Sequence, residues 1–208
     1  MHQKVLPQGS HRVLEILKGC PGLSSWVLAG GTGLALQVGH RVSEDFDFFC
    51  AGAPVSPVPG VERFLAGKGR LQIHRQEEDT LVCGFLGVKL SFFSVPDPFL
   101  FDPVPFPPLA LADLRDIGVM KIVAIANRGC RKDFLDLYKI LRGDLPLERY
   151  LALLDRKYPR KALNHYQFLK SLVYFADAEK EPLPTLLEPI RWSEVKSFFV
   201  REARKILG

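Results

Sequence analysis

Apolar and polar positions set a rhythm along the chain that changes near its middle. The run HRVLEILKG after Ser10 reads as a helix capped by Ser10 and stopped by Gly19 and Pro21. SSWVLA, from Ser24 to Ala29, is a short strand. Gly30-Gly31-Thr32-Gly33 then turns into a helix, LALQV, that Gly39 ends. DFDFFC, from Asp45 to Cys50, alternates polar and aromatic residues as a half-buried strand does. A Pro- and Gly-rich loop over 51–60 and a short helix from Val61 to Ala66 follow. Three strands come next, Leu71–Arg75, Thr80–Phe85 and Val88–Phe93, the last two joined by a tight turn at Leu86-Gly87.

Six prolines then fall between Pro96 and Pro108. Proline donates nothing to a ladder, so the segment reads as an extended connector. Beyond it the period becomes helical. Asp113–Asn127 carries Ile117, Met120 and Ala124 on one side, and Lys132–Leu141 carries Phe134, Leu137, Tyr138 and Leu141. Residues 147–156, 160–176 and 193–207 continue the pattern. The expected class is α+β: a mixed sheet with flanking helices over 1–95, a connector over 96–110, and a helical domain over 111–208.

Composition narrows the partners. The hydrophobic share is 47%, enough for a core, and the net charge is +5 with a pI near 9.1. An anionic partner is compatible with that balance without being required by it. Cys20, Cys50, Cys83 and Cys130 stand singly with no C-x-x-C spacing, so neither a structural zinc site nor a disulfide is expected. No secretory signal opens the chain and no apolar run reaches membrane-spanning length, which predicts a cytoplasmic protein without a membrane partner.

The chemistry concentrates between Gly30 and Asp47. In a strand, Asp45 and Asp47 project from one face, roughly 6.5 to 7 Å apart along the backbone. Two like charges so placed repel unless a cation sits between them. Magnesium takes one or two carboxylates and fills its shell with waters and phosphate oxygens. The glycines let a phosphate approach backbone closely, the amides opening the following helix face the same anion, and Thr32 offers a hydroxyl. A Gly-rich turn or a surface Asp pair alone would be commonplace; the order strand, Gly-Gly, helix, Asp-x-Asp strand is more specific.

GGTGLALQVGHRVSEDFDFF resembles the AbiEii/AbiGii toxin family within the nucleotidyltransferases of polymerase-beta type, whose members carry GGTALAL-x-x-GHR-x-S-x-DxDFF. DIGVMKIVAIANRGCRKDFLDLY resembles that family's second block. The resemblance implies a minimal nucleotidyltransferase sheet with a C-terminal helical domain. It implies magnesium or manganese as cofactor and transfer of a nucleotide from a nucleoside triphosphate to an acceptor, tRNA or another RNA among the candidates. It also implies a cognate antitoxin in a toxin–antitoxin or phage-defence setting.

By the same resemblance Asp45 and Asp47 hold the metal, and Gly30, Gly31 and Thr32 hold phosphates. Arg41 and Ser43 bind phosphate or orient it, the alternative for Arg41 being an ordinary loop arginine. Lys121, in the middle of an apolar helix, needs an anion; triphosphate and snorkelling to solvent are the two readings. Asp116 lies about 140° around the helix from Lys121, so it braces something else. Arg128 and Lys132 join the nucleotide-binding set, and Asp133 and Asp136 join Lys121 as catalytic residues from the helical side. Lys132 and Asp136, four apart, can also simply pair with each other.

One departure stands out. Ser91, in GVKLSFF, occupies the place where toxin relatives carry a third carboxylate, and serine is neither a strong base nor a charged ligand. A catalytically impaired nucleotide-binding or regulatory protein is therefore the alternative to an active transferase. Residues 113–142 hold seven Lys and Arg against four Asp and Glu, so a basic strip for nucleic acid is a third, accessory reading.

Overall fold

The computed structural model describes all 208 residues, and they divide into two compact units, Met1–Asp113 and Leu114–Gly208. In the first, α1 (Ser10–Leu17) precedes β1 (Val27–Leu28), α2 (Gly30–Val38), β2 (Phe46–Ala51) and α3 (Val58–Ala66). Strands β3 (Leu71–Glu77), β4 (Thr80–Phe85), β5 (Val88–Val95), β6 (Val104–Phe106) and β7 (Leu109–Leu111) follow. The seven strands form one sheet in the order β3-β4-β5-β2-β1-β7-β6. It is mixed: β2 runs parallel to β5 and β1 parallel to β7, while the other neighbours are antiparallel.

One face of this sheet builds the core. Phe46, Phe48 and Cys50 of β2 point to it together with Leu90 and Phe92 of β5 and Leu81, Cys83 and Phe85 of β4. Phe48 stacks on Phe92 with centroids 4.8 Å apart, and Trp26 meets Phe92 edge-on at 5.2 Å. Such pairs add about 0.5–1.5 kcal/mol each beyond the area they bury. The alternation then forces Asp47 and Phe49, with Lys89, Ser91 and Phe93 of β5, onto the opposite face.

Several boundaries differ from the sequence expectation, each for a local reason. Ser10 lies inside α1 and does not cap it; Gly9, at φ +100°, is the cap. Ser24 and Ser25 belong to a 3-10 turn, which leaves β1 two residues long. Gly30, Gly31 and Gly33 are helical rather than a turn ahead of the helix. The expected connector over 96–110 contains a small hairpin, β6 and β7. Pro105 is tolerated there because β6 is the sheet edge and pairs only with β7.

The second unit is helical: α4 (Leu114–Arg128), α5 (Arg131–Gly143), α6 (Leu147–Lys157), α7 (His165–Leu172) and α8 (Trp192–Leu207). The helix expected over 160–176 shortens to α7 because Asn164 caps it, its side chain accepting from the Gln167 amide at 3.1 Å. Phe134 of α5 gathers Phe175, Trp192 and Phe199 within 6 Å. Gly118 of α4 lets the Tyr150 ring of α6 lie against the helix backbone. No helix is long and apolar enough to cross a membrane.

Candidate functional site

Asp47 stands in β2, and Asp45 lies just ahead of the strand. Both glycines at the start of α2 serve close packing of side chains. Gly30 adopts φ +61°, and a Cβ there would sit 2.6 Å from Asp47 Oδ2. The Asp47 carboxylate thus rests directly on the opening of α2, whose first turn has no side-chain cap. A Cβ on Gly31 would overlap the Arg41 guanidinium, so that glycine admits the buried Arg41. The expected role of these glycines was close approach of phosphate. In the structure their missing side chains draw a carboxylate and a guanidinium onto the helix start.

Thr32 is fully buried, and its hydroxyl bonds Ser43 Oγ at 2.9 Å and the Asp45 carbonyl. The partners of the hydroxyl are thus within the chain, where the expectation had a phosphate. It ties the 43–45 segment to α2 and so fixes where Asp45 leaves the loop. Ser43 is buried as Thr32's partner, and Arg41 Nη1 donates to the Val42 carbonyl at 2.9 Å. Both residues position the loop.

Ser91 of β5 is the register partner of Asp47, flanked on its other side by Val82 of β4. It is 3% exposed. Serine therefore stands on the strand beside Asp47, on the same face, where a third carboxylate would complete a ligand set. No group of three or more His, Cys, Asp or Glu side chains gathers anywhere in the chain in a way that could hold a metal. Sequence reasoning overlooked Lys89, whose ammonium lies 4.0 Å from Asp45 Oδ2. The signal was present: in a strand, Lys89 shares its face with Ser91.

Two accessible hard-oxygen donors beside a glycine-rich helix start suit a magnesium-type ion. Such an ion commonly keeps water and takes phosphate oxygens for the rest of its shell. The 38% exposure of the Asp45 side chain leaves room for that shell. The donor set fits one ion sharing its coordination with a polyphosphate.

In the helical unit Lys121 has found its anion within the chain. Its ammonium lies 2.8 Å from Asp133 and 2.6 Å from Asp136, and both carboxylates are fully buried. Neither expected alternative for Lys121, triphosphate or solvent, describes this arrangement. Arg128 binds Asp133 through Nε at 2.7 Å and Nη2 at 3.0 Å. Burial pushes the Asp133 carboxyl up, but Lys121 and Arg128 together outweigh it and hold it below the usual range. Asp136 pairs with Lys121 rather than with Lys132 on its own helix. Asp116 braces α6, holding Lys157 at 2.7 Å. The expected catalytic trio Lys121, Asp133 and Asp136 is thus joined in one buried ion network, with Arg128, half exposed, at its rim.

Comparison with known proteins gives this arrangement a context. Residues 12–80, which contain the glycines and the acidic pair, match the AbiEii family, described as the nucleotidyl transferase AbiEii toxin of a type IV toxin–antitoxin system. An uncharacterised protein of Aquifex aeolicus (strain VF5) is 37% identical over 187 residues, spanning 88% of this chain and 89% of its own length. Among solved structures, MenT4, a nucleotidyltransferase toxin of Mycobacterium tuberculosis H37Rv, aligns with a TM-score of 0.60 at 15% identity. That alignment covers 93% of this chain and 80% of MenT4. A Helicobacter pylori protein assigned to the nucleotidyltransferases aligns at 0.53 and 17% identity, over 99% and 92% of the two chains. At those identities the two structures speak for the fold. With Asp47 seated on its glycine helix inside the matched segment, the chain belongs to the AbiEii nucleotidyltransferase toxin family.

Proposed function

We propose that the protein transfers a nucleoside monophosphate from a nucleoside triphosphate to an RNA acceptor, with Asp45 and Asp47 holding a magnesium or manganese ion. The observation that carries this reading is the Asp47 carboxylate packed on Gly30 at the uncapped start of α2. An anion and its counter-cation find complementary partners there: amides for one, carboxylates for the other. The ion, when bound, neutralises the polyphosphate and makes the α-phosphorus more electrophilic. Thr32 and Ser43 hold Asp45 in place. The acceptor oxygen bonds to the α-phosphorus, pyrophosphate leaves, and the acceptor's proton passes to solvent, since Ser91 offers no base. A cognate antitoxin is the protein partner this reading implies.

Incubation of the chain with α-labelled triphosphates, magnesium and bulk RNA tests it. Label in RNA with release of pyrophosphate is the expected result. Ser91 favours a second reading, a protein that binds nucleotide and transfers nothing: beside Asp47, a buried hydroxyl stands where a ligand or base would serve. Binding of triphosphate without release of pyrophosphate under any metal would select it.

A further inference from the structure

The helical unit contains a cavity of about 390 Å³ between the end of α4 and α7, a size typical of small-ligand sites. Arg128 and Asn127 line one side, Gln167 and Lys170 of α7 the other, with Tyr174 beyond the helix. Tyr174 is 58% exposed, a large aromatic face left to solvent. Tyr166 is equally exposed, and the Lys170 ammonium sits 5.8 Å from its ring centroid. One lysine therefore sits over the exposed Tyr166 ring and lines the cavity together with Tyr174. We propose that this cleft binds unpaired nucleotides of a single-stranded RNA, Tyr174 stacking on a base, Gln167 and Asn127 bonding its edge, and Lys170 and Arg128 meeting the backbone.

Three observations favour an RNA strand. The unit carries nineteen Lys and Arg against twelve Asp and Glu, a net charge of +7, while the sheet unit carries nine against eleven, a net of −2. The basic surplus thus sits on the unit that holds the cleft. Aromatic faces interleaved with cations are how sequence-tolerant single-strand sites are built. Finally, Arg128 already neutralises part of Asp133, and Asp177, itself held by Lys180 at 2.8 Å, stands on the cavity wall. That balance suits the single charge of a phosphodiester better than a free triphosphate. The proposal rests on RNA being the acceptor in the reading above.

A short fluorescent oligouridylate, titrated without triphosphate and followed by anisotropy, tests the cleft. Tyr174→Ala is expected to weaken binding roughly tenfold, as loss of one stacked base does, and Tyr174→Phe to stay near wild type. Because the ring is exposed, both variants should melt with the wild type. Asp47→Asn, which removes the proposed metal ligand, should bind the oligonucleotide normally; that result together with lost transfer leaves both readings standing. Normal oligonucleotide binding by a wild type that transfers nothing sinks the transferase reading and keeps this one. Failure of the wild type to bind the strand, or equal affinity in Tyr174→Ala, overturns the cleft. So does a loss in Tyr174→Ala of affinity for free triphosphate alone.

Discussion

At the scale of single residues, the account turns on small groups that let charged ones come close. Gly30 holds φ +61° and leaves room for Asp47. Gly30→Ala adds left-handed strain of about 1–2 kcal/mol and pushes the carboxylate off the helix start. Nucleotide transfer in that variant should fall at least tenfold while unfolding shifts only by the strain; rates and melts read side by side separate the two. Lys121 is the opposite case. With Asp133 and Asp136 buried against it, Lys121→Met strands two carboxylates and should destabilise the protein by about 3–5 kcal/mol in urea unfolding. Because Asp133 titrates below the ordinary range, its share of stability is present above the unfolded value near 4 and is lost as pH falls through the lower folded value. The stability gap between wild type and Asp133→Asn should therefore close only in strong acid, as melts across a pH series will show. Of these residues, Asp47 was legible as a strand residue from the alternation of DFDFFC, whereas Asp45, expected on the same strand, lies one residue ahead of β2. The partner of Lys121 was not: helical spacing says where a side chain points along its own helix, and nothing about which carboxylates α5 brings to it.

At the scale of elements, β2 followed from alternation, β4 and β5 were read as strands on either side of the Leu86-Gly87 turn, and both turn residues have positive φ, at 51° and 79°. The hairpin of β6 and β7 did not, because prolines that argue against a strand are harmless on an edge, and edge position is a property of the whole sheet. Alternation in β5 put Lys89 on the face of Ser91, but which carboxylate it approaches follows only from the parallel pairing of β5 with β2. The helices were legible in number, their ends less so. Packing between them gives a test: a Cβ at Gly118 would collide with the Tyr150 ring, so Gly118→Ala should cost about 1–3 kcal/mol despite alanine's better helix propensity. A stabilised variant in thermal unfolding would contradict the α4–α6 contact.

At the scale of the whole molecule, the family was legible from the GGTGLALQVGHRVSEDFDFF block, which lies within the matched residues 12–80. The division of charge was not legible from the total of +5, which averages an acidic sheet unit with a basic helical one. Binding to RNA should accordingly weaken with salt, and Lys170→Ala should reduce the slope of log affinity against log salt by about one. On the proposed reading, triphosphate meets the slightly acidic sheet unit through the ion and the helix amides, so its binding should depend on divalent metal. The central claim is that Asp47, seated on Gly30, holds the ion that makes transfer possible. The most direct measurement compares wild type with Asp47→Asn in label transfer from an α-labelled triphosphate to RNA in magnesium. The account predicts incorporation by the wild type and a loss of at least a hundredfold in the variant, with melting temperature and oligonucleotide affinity unchanged. Equal incorporation by the two proteins would contradict it.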